Sequence, residues 1–80
     1  MSQEAKLRWR CRRGMKELDV VLLAFLERRY PQVSESEQRI FEGLLDLQDP
    51  QLYAYITGRE RPADPAIADV VDQISRALKA

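Results

Sequence analysis

The side chains that could carry covalent or acid–base chemistry are few in this 80-residue chain. It has no histidine, the commonest general base and the commonest metal ligand. Its one cysteine, Cys11, lacks a histidine to activate it, although neighbouring arginines could lower the pKa of its thiol. Pairs of acids such as Asp46 and Asp49 are explained more simply as helix caps and solvated helix faces. We therefore predict a binding protein and not an enzyme, with no catalytic residue and no metal site.

The most unusual segment is a basic stretch that also contains the only tryptophan of the chain. The first 16 residues hold six basic side chains and a single acidic one, although the net charge of the whole chain is zero. Such a stretch attracts nucleic acid, an anionic lipid or an acidic protein surface. The arginines and the tryptophan of this basic segment are Arg8, Trp9, Arg10, Arg12 and Arg13.

Three interpretations of the basic segment are open on the residues alone. Arginines can bind phosphates while Trp9 stacks on a base, which would indicate a nucleic-acid site. Tryptophan and arginine are also typical hot-spot residues of protein–protein interfaces. Alternatively, the segment is a solvated helix with Trp9 in the core. Because Trp9 and Cys11 lie about 200° apart on a helical wheel, they cannot both face one core, and at least one should lie near a surface or a helix junction.

A glycine follows the basic segment at a position of particular interest. Arg13 and Glu17 are four residues apart, with Gly14 between them. On one continuous helix they would share a face, but an exposed ion pair of this kind stabilises a helix by only about 0.3–0.5 kcal/mol. Gly14 offers something different, a bare backbone that a partner can approach closely. The residues alone therefore support a structural junction and a binding site equally.

The elements that must position these residues are predicted to be helices, because no stretch alternates with a period of two over a useful length. The first helix is predicted from Gln3 to about Arg12, with Gly14 beyond its end. The second is predicted from about Met15 to Arg29. Its apolar side chains form one face that Val20, Leu23 and Ala24 widen almost all the way round, so we expect this helix to be the central one.

Three further helices are predicted from their capping residues. Ser34 and Glu37 form a capping box at the start of the third helix. Asp49 and Asp64 each precede a proline, so each is predicted to cap the helix that follows it. The predicted buried faces of the three helices consist of Ile40, Phe41, Leu44, Leu45 and Leu47; of Leu52, Tyr53 and Ile56; and of Ile67, Val70, Val71, Ile74 and Leu78. The predicted fold class is all-α: a compact five-helix bundle in one domain over residues 1–80, with an ordered core at about residues 6–78.

The cysteine count and the hydropathy pattern predict the cellular compartment of the chain and its relation to the membrane. One cysteine forms no internal disulfide, which is typical of a reducing compartment such as the cytoplasm. The longest apolar run, Val20 to Leu26, is far shorter than the roughly 20 residues that a membrane helix needs. We therefore expect a soluble, cytoplasmic protein with no direct membrane insertion.

Taken together, the residues from Trp9 to Asp19 resemble the signature of the succinate dehydrogenase assembly factors, the SdhE/YgfY family. The pattern of that family is Arg-Gly-x-x-Glu within a longer W-x-C-R-R-G-x-x-E-L-D block, and Arg13, Gly14 and Glu17 occupy the three defining positions. Three later segments also look like that family: residues 37–45, residues 49–58 and residues 62–64. One departure is Tyr55, where many relatives carry tryptophan. The resemblance covers about residues 6–78.

The resemblance implies an all-helical assembly factor that binds the flavoprotein subunit of succinate dehydrogenase and promotes covalent attachment of FAD to it. Some relatives act on fumarate reductase too. FAD would be carried by the flavoprotein, so this chain is expected to have no cofactor of its own, and we expect it to be a monomer. The alternative is an antitoxin-like or nucleic-acid-binding regulator that uses the basic first helix; the acidic remainder of the chain and the zero net charge stand against it.

The resemblance also implies which residues meet the partner. Arg13 and Glu17 are expected to make polar contacts near the flavin-linking site, while Gly14 lets the two backbones come close. The other partner-binding residues are expected to surround these three as a positive rim with one aromatic member: Arg8, Trp9, Arg10 and Arg12.

Overall fold

The computed structural model describes the backbone of residues 3–77 and the side chains from residue 5 onwards. Within this part of the chain there are five helices and no strand: α1 (Gln3–Arg10), α2 (Lys16–Arg28), α3 (Glu35–Leu44), α4 (Asp49–Ile56) and α5 (Pro65–Arg76). The predicted fold class, an all-α five-helix bundle in one small domain, is confirmed. Leu78, which was predicted to extend the apolar face of α5, lies outside the described residues.

The end of α1 comes two residues earlier than the predicted end at Arg12. The backbone N–H of Cys11 donates to the carbonyls of Leu7 and Arg8, at 3.0 and 3.3 Å, and that of Arg12 donates to the carbonyl of Trp9, at 3.1 Å. These bonds tighten the last turn from a four-residue to a three-residue spacing, a common way to end a helix. The chain then turns through residues 11–15, which we call the signature turn, and enters α2.

The predicted caps are right in two helices and wrong in one. The Oγ of Ser34 accepts the N–H of Glu37 at 3.2 Å, and the Glu37 carboxylate accepts the N–H of Ser34 at 3.3 Å, which completes the capping box of α3. At α5, the Asp64 carboxylate accepts the N–H of Ala66 at 2.8 Å. At α4, however, the N-cap is Gln48, without a side-chain bond, and Asp49 is already helical. The Asp49 carboxylate accepts a bond from elsewhere in the chain instead.

One hydrophobic core holds the helices together. α5 packs against α2, α3 and α4, and α2 also packs against α1. The rings of Phe25 on α2 and Phe41 on α3 lie 4.7 Å apart between centroids, a favourable distance for a tilted aromatic pair. α2 contacts α1, α5 and, through Phe25, α3, but the prediction that α2 is the central helix is wrong, because α5 packs against three helices. Val20 on α2 is 42% exposed, so the apolar surface of α2 does not continue into the core all round. The buried core side chains are Leu7, Cys11, Leu18, Leu22, Phe25, Leu26, Phe41, Leu44, Leu45, Leu52, Val70, Val71, Ile74 and Ala77.

Candidate partner-binding site

The Arg13 side chain lies across the connection between α3 and α4 and is only 13% exposed. Its Nε donates to Oδ1 of Asp49 at 2.8 Å, its Nη1 donates to the carbonyl of Leu45 at 2.5 Å, and its Nη2 donates to the carbonyl of Leu47. All three guanidinium nitrogens therefore bond within the chain. The ion pair with Glu17 that a continuous helix would have allowed does not form, because α1 and α2 are separate helices and Asp49 takes its place.

The backbone of the signature turn is also bonded to α2. The N–H of Arg13 donates to Oδ1 of Asp19 at 2.6 Å, and the N–H of Asp19 donates to the carbonyl of Met15 at 2.9 Å. Asp19 lies in the first turn of α2, where a carboxylate is favoured by the helix dipole. The turn is therefore held between α2 on one side and the α3–α4 connection on the other.

Gly14 provides the conformation that this turn requires. Its φ is +87°, in the left-handed region that residues with a Cβ rarely adopt. A Cβ built on Gly14 would meet nothing within 4 Å. Within this chain, then, the glycine is needed for backbone conformation and not to relieve a close contact, and the space in front of it is open to a partner.

Two further arginines of the basic segment are bonded to acids on the body of the molecule. Nη1 of Arg8 donates to Oε1 of Glu27, near the end of α2, at 2.8 Å. Nη2 of Arg10 donates to Oδ1 of Asp46 and, at 3.3 Å, to the carbonyl of Glu42 in α3. The basic segment is thus joined to the acidic remainder, and much of the expected positive rim is neutralised by its own chain.

The exposed part of the segment has a mixed aromatic, basic and acidic character. Trp9 is 71% exposed, so the interpretation that buries it in the core is wrong. The side chains of Arg12, Lys16 and Glu17 are also exposed, and none of them bonds to or pairs with a described residue. Val20 follows one turn after Lys16 and Glu17 on the same helix face. We call these five side chains, together with Gly14, the signature surface.

Cys11 lies beneath this surface and is fully buried. Burial raises the pKa of its thiol from 9.0 to about 11, and the charges of Arg10, Arg13 and Arg8 offset this effect only in part. The neighbouring arginines therefore do not bring the pKa of this thiol below its ordinary value, because the cost of desolvating the thiolate exceeds their attraction. Trp9 and Cys11 lie on opposite sides at the end of the first helix, as the helical wheel predicted: Cys11 faces the core and Trp9 faces the surface.

The seven residues proposed from the sequence fall into two groups. Trp9, Arg12, Gly14 and Glu17 are exposed around one turn, whereas Arg8, Arg10 and Arg13 are bonded within the chain, and the role of all seven as partner contacts stays a prediction. Sequence reasoning missed the acids that bind these arginines and also missed the exposed Val20. The resemblance of residues 49–58 to the family offered one signal, since it contains Asp49 of the Arg13 pair. The missed acids are Asp19, Glu27, Asp46 and Asp49.

Away from the signature surface, the structure shows no cluster of metal ligands among the described residues, and its apolar groove does not suit a nucleotide. Among the described residues, no group of three or more histidine, cysteine or acidic side chains is placed to hold a metal ion. An apolar groove of about 470 Å³ lies between α3, the end of α4 and the start of α5, with Ile40, Tyr55 and Pro62 in its walls. Among the described residues that line this groove, the charged one is Asp64. Its carboxylate would repel a phosphate group, so the groove does not suit a nucleotide.

Comparison with known proteins identifies the family. Residues 5–78 match the family described as flavinator of succinate dehydrogenase, and the chain belongs to that family. It is 49% identical over 78 residues to the FAD assembly factor SdhE of Methylococcus capsulatus, which covers 98% of this chain and 93% of the relative. It is 44% identical over 72 residues to the proteins of the same name from Vibrio vulnificus and Vibrio cholerae, which covers 90% of this chain and 84% of each relative.

Family membership confirms two of the expectations drawn from the sequence. The resemblance to succinate dehydrogenase assembly factors is confirmed, and so is the prediction that the chain is not an enzyme, because the family consists of assembly factors. Nothing in these comparisons supports the antitoxin-like or nucleic-acid-binding alternative. None of the helices in the described part of the chain has the length and apolar character needed to cross a membrane.

Proposed function

We propose that this chain binds the flavoprotein subunit of succinate dehydrogenase and thereby promotes covalent attachment of FAD to that subunit. The observation that carries the proposal is the match to the flavinator family over residues 5–78, together with relatives named FAD assembly factor over almost their whole length. The exposure of Trp9, Gly14 and Glu17 within the family signature supports it, because these residues are free to meet a partner.

The mechanism is a shift of the partner's conformational equilibrium. The factor supplies no histidine and no activated thiol, so the linking chemistry belongs to the flavoprotein and its FAD. A binding protein accelerates such a step only if it binds the reactive conformation more tightly than the others, because equal affinity for all conformations shifts nothing. It must also dissociate afterwards, which favours a moderate affinity and a modest interface.

The signature surface is the proposed contact with the flavoprotein. Trp9 can supply the large apolar contact that typically dominates the binding energy of an interface. Glu17 presents a carboxylate with no partner of its own among the described residues, so it suits a cationic or N–H donor group on the flavoprotein. Arg12 and Lys16 add positive charge at the rim. FAD is then carried by the flavoprotein, and the apolar groove with Asp64 at its edge has no proposed part in holding it.

The same surface would serve the flavoprotein subunit of fumarate reductase, as the resemblance to the family implies. We also propose that the factor acts as a monomer in the cytoplasm, where a lone buried thiol is typical. A nucleic-acid role is not favoured, because Arg8, Arg10 and Arg13 are already bonded to acids or carbonyls of this chain and are not free for phosphates.

Covalent flavin fluorescence of the denatured flavoprotein tests this proposal. The purified flavoprotein subunit is incubated with FAD and with the wild-type factor, with Glu17→Gln or with Glu35→Gln. Glu35→Gln is the control, because Glu35, like Glu17, is an exposed acid in the first turn of a helix; Glu35 pairs only with Arg39 on its own helix, at 2.7 Å. We expect Glu17→Gln to lower the linkage rate at limiting factor about tenfold, because a hydrogen bond to a charged group contributes about 1.5–3 kcal/mol. A linkage rate that is the same with and without the wild-type factor would contradict the proposal. A linkage rate with Glu17→Gln that equals the wild-type rate would contradict it as well.

A further inference from the structure

Arg13 is the first of the three defining residues of the family signature, yet its side chain is directed into this chain. α3, which the structure describes in full, has no basic residue in its last turn. The carbonyls of Phe41, Gly43 and Leu44 accept backbone N–H groups of residues 45–47, and this end of α3 is the negative end of its dipole. Arg10 bonds to the carbonyl of Glu42 in the last turn of α3. Arg13 bonds to the carbonyls of Leu45, the C-cap residue, and of Leu47, which follows the helix. The basic segment therefore caps the end of α3 from a distant part of the chain.

The bond to Asp49 adds a second function to this cap. Asp49 is the first residue of α4, so the Arg13 guanidinium joins the end of one helix to the start of the next. A planar guanidinium with several fixed donors suits this role, because it can hold two carbonyls and a carboxylate at once. Since the N–H of the same residue bonds to Asp19, Arg13 links the signature turn to α2, α3 and α4.

The bonds of Arg13 determine which residues of the signature turn a partner can contact. Gly14 follows Arg13 directly, and Glu17 follows in the first turn of α2, so both are presented from a turn that Arg13 holds in place. With 13% of its side chain exposed and three of its five N–H donors bonded within the chain, the Arg13 guanidinium presents little surface to a partner. Interfaces gain affinity when the contact residues are held in the bound geometry before binding.

We propose that Arg13 and Asp49 act together as a positioning pair: they hold the signature turn so that Gly14 and Glu17 face the flavoprotein, and the Arg13 guanidinium itself does not touch it. This inference rests on the proposed function, and it divides the signature into one residue that positions and two that make contact. It also assigns a functional role to Asp49, which lies 36 residues away from Arg13.

The test compares the affinity of folded variants for the purified flavoprotein subunit. The variants are Arg13→Lys, Asp49→Ala, Asp49→Asn and the double variant Arg13→Lys/Asp49→Ala. Lys keeps the charge of Arg13 but lacks its planar set of donors, and Asn keeps the Oδ1 acceptor of Asp49 but lacks its charge. Arg61→Lys and Asp72→Ala are the controls with the same substitutions, since Arg61 and Asp72 form another Arg–Asp pair at a helix connection, at 2.6 Å.

Dissociation constants are measured at a low temperature at which circular dichroism shows every variant to be fully folded. Under that condition a residue that only stabilises the fold leaves the dissociation constant unchanged. We expect Arg13→Lys and Asp49→Ala each to weaken binding about tenfold, because a signature turn that is no longer held in the bound geometry must be ordered when the factor binds. Asp49→Asn is expected to have a smaller effect, the double variant is expected to bind no more weakly than the weaker single variant, and the two controls are expected to bind like the wild type.

Amide hydrogen exchange provides a second readout that needs no flavoprotein. Faster exchange of the amides of residues 13 and 19, which donate to Asp19 and to the Met15 carbonyl, in Arg13→Lys and in Asp49→Ala, with the controls unchanged, would support the positioning role. Exchange at these residues that matches the wild type would contradict it.

The possible failures are distinct. Weak binding by Arg13→Lys together with wild-type binding by Asp49→Ala would show that Arg13 contacts the flavoprotein directly, and this would overturn the positioning pair alone. Wild-type binding by all folded variants would assign the pair a purely structural role and would also overturn the proposal. No binding by the wild-type factor would remove the proposed function, and with it the partner that the pair is said to serve.

Discussion

Gly14 combines a positive φ with open space in front of its Cα, and these two properties affect a substitution differently. The φ of +87° makes any residue with a Cβ unfavourable, whatever its size. Because a Cβ at this position would meet nothing within 4 Å, neither a small nor a large side chain is forced against the chain at its first atom. A small and a large substitution should therefore have similar effects on stability and different effects on binding.

Gly14→Ala and Gly14→Arg separate the effect on stability from the effect on binding. Both are expected to lower the free energy of unfolding by about 1–2 kcal/mol, the penalty for a left-handed residue with a Cβ. Only the arginine projects into the space that a partner would occupy, so flavin linkage at saturating factor should fall far more with Gly14→Arg than with Gly14→Ala. Urea denaturation and covalent flavin fluorescence measure the two effects. Equal linkage by the two variants would show that the partner does not approach Gly14.

At the scale of the elements, α3 is stabilised at its two ends in different ways. Its N-terminus is capped locally by Ser34 and Glu37, and its C-terminus is capped by arginines from the basic segment. Only the second end is connected to the signature surface. A change at Ser34 should therefore affect the fold without affecting binding.

We predict that Ser34→Ala lowers the free energy of unfolding by about 1 kcal/mol, because the N–H of Glu37 loses the acceptor that caps it. Ser36→Ala, at an exposed position in the same turn, is the control and should change stability by less than about 0.5 kcal/mol. Urea midpoints at pH 7 compare the three proteins. Flavin linkage by folded Ser34→Ala should equal that of the wild type; a loss of linkage would mean that the N-terminus of α3 also takes part in binding.

The contrast between Asp64 and Asp49 shows how far the sequence predicts this fold. Helix periodicity and caps are local patterns, so the five helices, the Ser34 capping box and the Asp64 cap are predictable from neighbouring residues. Asp49 has the same Asp-Pro context as Asp64, yet it pairs with Arg13 and does not cap. No local pattern contains a contact across 36 residues.

The same limit applies to the site. The sequence marks Arg13, Gly14 and Glu17 as one motif, but it does not show that Arg13 faces inwards and Glu17 outwards. A helical wheel shows that Trp9 and Cys11 lie on opposite sides of the helix. Only the packing of α1 against the core determines that Trp9 is the exposed residue of the two. Which members of a motif are buried depends on contacts with the rest of the chain.

At the scale of the whole molecule, the buried thiol of Cys11 reports on the intact fold. Folding keeps the thiol in the core and raises its pKa to about 11, whereas the unfolded thiol titrates near its ordinary value of 9.0. A pKa that is raised in the folded state gives a contribution to stability that is fully present below pH 9.0 and is lost as the pH rises to about 11.

We therefore predict that the urea midpoint of the wild type falls between pH 9 and pH 11 more steeply than that of Cys11→Ala, which has no thiol to ionise. Cys11→Ala also corrects for the other effects of alkaline pH on the fold. At pH 7.5 a thiol reagent should modify wild-type Cys11 only as fast as the molecule opens, and urea should accelerate the reaction. Parallel pH profiles for the two proteins, or immediate modification in the absence of urea, would contradict the prediction.

The three bonds of the Arg13 guanidinium have a consequence for the order in which the molecule assembles. Their acceptors lie 32, 34 and 36 residues further along the chain. Contacts of such separation form only once the entropy of closing a long loop has been overcome, whereas single helical turns close locally. The signature turn therefore reaches its final shape only after α3 and the start of α4 have folded against it. Only the fully folded molecule therefore presents the signature surface. A nascent chain that has exposed only its basic first helix does not yet display the surface that a flavoprotein would recognise.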